Sequence, residues 1–154
     1  MSHAAVFLCP GLAIFPAMNH PRMSLPFTLP EVSHGLAEGH GRLHVGEEGL
    51  RLEYRVKDAM FGLLKSAVRE VFLPYDDIED FEYREGWFRR RFFIHVNTLQ
   101  VAKDFPGADE GNIVLRFRKV SRERLRSISS HITLQLSEHR LRQIENDDNW
   151  PDTL

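Results

Sequence analysis

Along the middle of the chain apolar and polar side chains take turns with a period of two, broken every few residues by turn-forming chemistry. In LRLEYRV (50–56), Leu50, Leu52, Tyr54 and Val56 alternate with Arg51, Glu53 and Arg55. That is the pattern of a strand with one buried face. Six similar runs follow the same rule: GRLHV (41–45), VREVFL (68–73), IEDFEYR (78–84), FRRRFFIHV (88–96), LQVAK (99–103) and NIVLRFR (112–118). The breaks are GEEG at 46–49, Pro74, Gly86, Asn97 and the DFPGADEG loop at 104–111, all residue types that favour turns. Connections this short cannot carry parallel crossovers, so the seven strands are expected to form a sequential antiparallel meander. Phe72, Phe81, Tyr83, Phe92, Ile94, Val96, Ile113, Leu115 and Phe117 are assigned to its interior.

A helix is expected after the last strand. Ser121 offers an oxygen to the first unpaired amides, Glu123 suits the positive first turn, and Leu125, Ile128 and Ile132 recur on one face. Leu141 and Ile144 extend the spacing, whereas ITLQL at 132–136 alternates like a strand and leaves the far end open. Five of the eight prolines lie in the first 30 residues, so residues 1–40 read as an irregular arm. Within it, residues 4–18 are apolar but too short to span a bilayer, which takes about 20 residues. No basic stretch precedes them, and Pro10 and Pro16 interrupt them, unlike a secretory signal. Met23 is a second candidate start.

The residues LPYDDIEDFEYREGWFRRRFFIHV (73–96) and NIVLRFRKVSRERLRSI (112–128) resemble the pleckstrin-homology-like superfold, in particular its bacterial members. In the first, a proline-led acidic turn opens a strand and a Gly-Trp hairpin. In the second, a last strand runs almost directly into a helix. The resemblance covers 41–136 and leaves 137–154 as a helix extension and acidic tail. It implies a mainly β fold, a seven-stranded antiparallel barrel or sandwich capped by one carboxy-terminal helix. It also implies a role in binding lipids, peptides or proteins rather than in catalysis, although fold alone does not transfer function. Lipid-binding eukaryotic members place basic residues near the first strand pair. Here that region reads RLHVGEEGLRLEYRV with an acidic turn, so the resemblance does not carry phosphoinositide recognition over to this chain.

Charge is segregated along the sequence. Residues 1–83 hold 7 basic and 12 acidic side chains, residues 84–126 hold 11 and 5, and residues 127–154 hold 2 and 5. If alternate residues of the later strands point inward, Arg89, Arg91, Phe93 and His95 point outward, as do Arg116 and Arg118. Arg89, Arg91, His95, Arg116 and Arg118 are therefore the candidate anion or partner site. The alternative is a solvated face neutralised by acids such as Glu82 and Glu85, since scattered surface charges are weak. Arg90 falls on the inward phase, which places it at a barrel mouth or a bulge. A second candidate is the apolar connection with Met60, Phe61, Leu63 and Leu64, read either as a contact loop or as a cover for the core.

Other chemistry is sparse. His34, His40 and His44 with Glu38 lack a standard metal-ligand spacing, Cys9 has no basic neighbour to stabilise a thiolate, and no GxGxxG, Walker, HExxH or GxSxG motif occurs. Catalytic residues, a metal and a cofactor are not expected. The acids Asp76, Asp77, Glu79 and Asp80 read as a turn and a strand edge. A net charge of −2 argues against nucleic acid. The sequence thus points to a non-enzymatic binding or assembly module that contacts a protein, a peptide or an anionic surface through a sheet edge and a basic face. Homo-oligomer formation through the edge is a further expectation. The alternative is a small-ligand carrier or enzyme with a barrel cavity. A lone cysteine excludes an internal disulfide and makes the cytoplasm the default compartment, with peripheral membrane contact open.

Overall fold

The computed structural model describes residues 23–32, 37–58, 67–98 and 108–147, together with 100, 103, 105 and 106; side chains are described for all of these except 30–32, 37, 38, 57 and 58. Among the described residues seven strands form one antiparallel sheet: β1 (Met23–Val32), β2 (Ala37–Val45), β3 (Gly49–Asp58), β4 (Arg69–Pro74), β5 (Ile78–Glu85), β6 (Arg90–Val96) and β7 (Asn112–Phe117). A single turn of 3-10 helix (Tyr75–Asp77) joins β4 to β5, and a long helix α1 (Arg122–Asp147) ends the described chain. The architecture is mainly β with one carboxy-terminal helix, as the alternation predicts. No helix among the described residues is long and apolar enough to cross a membrane.

The strand order is β4-β3-β2-β1-β7-β6-β5. Two meanders, β1 to β4 and β5 to β7, are joined through the β1–β7 pair, where Thr28 faces Arg116. The sheet is not closed, because β4 and β5 lie at the two ends of that order. It nevertheless folds over itself. Leu25 and Phe27 of β1, Leu52 and Tyr54 of β3, Leu73 of β4, Ile94 of β6 and Leu115 of β7 belong to one core, and Leu125, Ile128, Ile132 and Leu136 of α1 complete it.

Three sequence expectations need correction. Met23–Val32, assigned to an irregular arm, is a strand at the centre of the sheet, so the folded unit begins well before residue 41. Pro26 has no amide hydrogen to give the ladder; it stands opposite Arg42, and the other paired residues of β1 carry the register to β2. LQVAK is not one of the seven strands, since Gln100 and Lys103 have helical backbone. Phe72 points outward and is 42% exposed, while its neighbours Val71 and Leu73 enter the core. Two adjacent apolar residues flanking a third cannot all follow one phase, and the smaller pair took the interior.

Two glycines are required by geometry. A Cβ at Gly41 would collide with the Phe27 ring and the Glu53 carbonyl, so β1 can lay an aromatic ring across β2 only where β2 has no side chain. Gly111, at φ 85°, follows Glu110 at φ 47°. Asp109 and Asn112 exchange amide-to-carbonyl bonds of 2.8 and 3.1 Å around them. Both central residues in the left-handed region make the primed turn that matches strand twist.

Ser121 caps α1 by accepting from the Arg124 amide at 3.3 Å. The helix continues through ITLQL to Asp147, and its buried residues, Leu125, Ile128, Ile132 and Leu136, end just past its midpoint. Its second half is held by polar contacts to the turns beside it. The His139 ring lies 5.1 Å from that of Tyr75, Gln143 donates to Asp76 at 2.9 Å, and Arg140 donates to the Glu79 carbonyl. Tyr75 itself donates to the Gly46 carbonyl at 2.9 Å, tying the 3-10 turn to the β2–β3 turn.

Burial pushes the Tyr75 hydroxyl up to about 12 from its ordinary 10.0. The folded state therefore holds this proton more tightly than the unfolded chain does, and stability is full below pH 10 and lost progressively as pH rises toward 12. Chemical denaturation across this range should show a loss on the order of 2 kcal/mol from this group, absent when Tyr75→Phe is compared at each pH. An identical alkaline slope in the two proteins would contradict it.

Candidate functional site

Cross-strand register decides which side chains share the outer face. With Phe92, Ile94 and Val96 of β6 and Ile113, Leu115 and Phe117 of β7 buried, their neighbours in sequence face outward, as the alternation predicts. Arg84 of β5 pairs with Arg91 of β6, Arg91 pairs with Arg116 of β7, and Arg116 pairs with Thr28 of β1. The same row continues through His40 of β2 to Arg55 of β3. Three guanidinium groups thus stand on adjacent strands at one level of the sheet, with backbones about 5 Å apart.

The members of the row are not equivalent. Arg84 contacts Glu82 at 2.7 Å and stacks over the Phe93 ring at 4.7 Å. This hydrogen bond holds the Glu82 carboxyl below its ordinary value and raises the Arg84 guanidinium. Glu82 therefore answers Arg84, as the solvated-face alternative expects. Arg91 is half-buried, and its Nε is sealed from solvent without a hydrogen-bond partner. A planar fork in that position offers its remaining donors to an acceptor arriving from outside.

His95 lies elsewhere. Its Nδ1 is 2.8 Å from the Asn112 side-chain oxygen, and its Nε2 is 3.3 Å from Glu79. It lines a shallow depression of about 270 Å³ with Glu79, Asp80, Glu82, Arg84, Phe93 and Asn112. The outer face is therefore split into an acidic strip around His95 and a basic row, with Phe93 and Val114 between them. Sequence phase placed His95 on the correct face but gave no view of its neighbours, which come from β5 and β7.

The end of this half of the sheet carries the rest. Arg89 is exposed in the β5–β6 hairpin, and Arg118 and Lys119 are exposed just beyond β7. Because Glu85 pairs with Arg90 and Arg90 with Phe117, all of them gather at one end. Arg90, on the inward phase, donates to the Val120 carbonyl and so sits at the mouth beside the start of α1. Glu85 is held by Arg122 at 3.1 Å and by Arg126 at 3.1 Å, so this acid answers the helix and leaves the sheet arginines to others.

No known family, curated protein or solved structure matches this chain.

Sequence reasoning missed Trp87 and Phe88, which crown the same hairpin at 83% and 86% exposed. A signal was present: two large aromatics inside REGWFRRR, at a turn, where alternation assigns no face. Met60, Phe61, Leu63 and Leu64 lie outside the described residues, as do Cys9 and His34. His40 and His44 occupy β2 facing Thr28 and Ser24, and among the described residues no group of three or more His, Cys, Asp or Glu is placed to hold a metal ion. No polar or charged residue among them is buried.

Proposed function

We propose that this protein is a non-enzymatic binding module of the pleckstrin-homology-like type that engages an anionic partner through the outer face of β5, β6 and β7. The observation that carries the reading is the row Arg84, Arg91, Arg116. Like charges directly opposite one another on neighbouring strands disfavour pairing; Glu82 answers Arg84, and a bound anion answers Arg91, whose Nε has no hydrogen-bond partner. Among the described residues the core is apolar and holds no buried polar or charged residue, which supports surface binding over the alternative of a ligand or reaction inside a barrel cavity. The segregated charge acts in the same direction: the acids of the chain concentrate before residue 84 and after residue 126, so the field at this end of the molecule is locally positive.

Salt-dependent retention on immobilised heparin tests the reading. The native chain is expected to bind at low salt and elute as screening shortens the Debye length. Arg91→Glu with Arg116→Glu should lower affinity roughly ten-fold or more, through reversal of two charges in one site. A charge-matched control, Arg69→Glu with Arg142→Glu, changes exposed positions outside the row and should leave retention near that of the native chain after correction for net charge. Equal losses in both variants would remove the site and leave only non-specific attraction.

A sheet-edge mode is supported by one further observation. β4 ends the strand order and presents Phe72, 42% exposed, with Val68, 53% exposed, just before the strand, so a peptide strand or a second copy could add there. Light scattering separates this from a monomer.

A further inference from the structure

Trp87 and Phe88 are the two most exposed large apolar side chains of the described residues. Their rings meet each other edge to face at 6.2 Å. The loop that carries them is short and well anchored: the Gly86 amide donates to the Arg89 carbonyl at 2.8 Å, Tyr83 donates to Glu85 at 3.2 Å, and Glu85 is clamped by Arg122 and Arg126 of α1. The aromatic pair is thus presented on a braced projection beyond the sheet, with Arg89 beside it and Arg118 and Lys119 at the same end. Arg84 and Arg91 stand about 10 Å back along the strands, at the extended-chain rise for three residues.

We propose that this hairpin seats the protein on an anionic lipid bilayer, Trp87 and Phe88 entering the headgroup layer while Arg89, Arg91, Arg118 and Lys119 contact phosphates. This deepens the anion-binding reading by naming the partner, and it rests on that reading. Shape and charge select the bilayer over a protein. Aromatic anchors of protein interfaces sit near the centre of a patch whose rim excludes water. Here the aromatics form an exposed hairpin tip with cations at the same end of the sheet, the arrangement that suits a soft interface with apolar depth and negative surface potential. The acids nearest the tip do not oppose it, because Glu82 is engaged by Arg84 and Glu85 by the helix arginines.

The test uses the full chain with Trp150→Phe, which leaves Trp87 as the sole tryptophan. Vesicles of phosphatidylcholine with phosphatidylserine are expected to blue-shift its emission and bring it within reach of bilayer-borne quenchers, whereas phosphatidylcholine alone should do neither. Trp87→Ser with Phe88→Ser should lower partitioning into the anionic vesicles by roughly ten-fold or more while circular dichroism and heparin retention stay native. Full partitioning by that variant would overturn the role of the tip. No binding of the native chain to anionic vesicles, with heparin retention intact, would overturn the bilayer and leave the basic face standing. Loss of heparin retention as well would remove both readings together. A blue shift that grows with protein concentration in the absence of lipid would assign the tip to a second copy of the chain, and would likewise overturn the proposal.

Discussion

A chain lacking residues 1–32 is expected to be unfolded. Among the described strands β1 alone bridges the two meanders, hydrogen-bonded to β2 on one side and facing β7 on the other. Its removal leaves β2 and β7 as two new open edges. It also strips Leu25, Phe27 and Leu29, all buried, from the core. At about 1.5–3 kcal/mol for each such side chain, the loss is about 5–9 kcal/mol, comparable with the whole stability of a domain of this size. The glycines of β2 make the loss worse, because Gly39 and Gly41 have the Leu29 and Phe27 side chains lying directly over them. Far-UV circular dichroism and urea titration provide the measurement. A cooperative transition in the shortened chain would show that the two meanders hold together without β1.

Phe92→Ala should be among the most damaging single substitutions, lowering stability by about 3–5 kcal/mol. The ring is fully buried, and three others meet it at tilted or edge-on angles: Phe117 at 4.6 Å, Phe81 at 5.1 Å and Tyr83 at 5.5 Å. Deleting it leaves a cavity bounded by rigid rings on a paired strand, which cannot collapse to fill the space. In urea the midpoint should fall by roughly 2 M for an ordinary m-value. Phe93→Ala is the internal control, because Phe93 lies on the outer face under the Arg84 guanidinium, where substitutions cost much less. Equal costs at 92 and 93 would mean that the β6 register is wrong, and with it the basic row.

Much of this fold was legible because burial repeats every second residue along a half-buried strand. The inward set of β6 and β7, the outward arginines, the cap at Ser121 and the apolar stripe of α1 all follow from local spacing. Reading failed where local and tertiary preferences diverged. Five prolines in the first 30 residues speak against regular structure, yet two open strands, β2 and β7, offered β1 hydrogen-bond partners, and burial of Leu25, Phe27 and Leu29 outweighed a broken ladder position. LQVAK alternates over only five residues, and its described members, Gln100 and Lys103, are exposed and helical in backbone. Phe72 lost the interior to Val71 and Leu73 because β4 can turn only one of its two faces to the core.

The candidate site divides along the same line. Sequence alone determined that arginines of the later strands face outward, since strand phase is a property of neighbours along the chain. Which arginines stand side by side was decided only by the tertiary structure, because register between β5, β6, β7 and β1 depends on pairings across many residues of sequence. The same long-range pairing sent His95 to an acidic neighbourhood, gave Glu85 to the helix, and left Trp87 and Phe88 projecting from a braced turn.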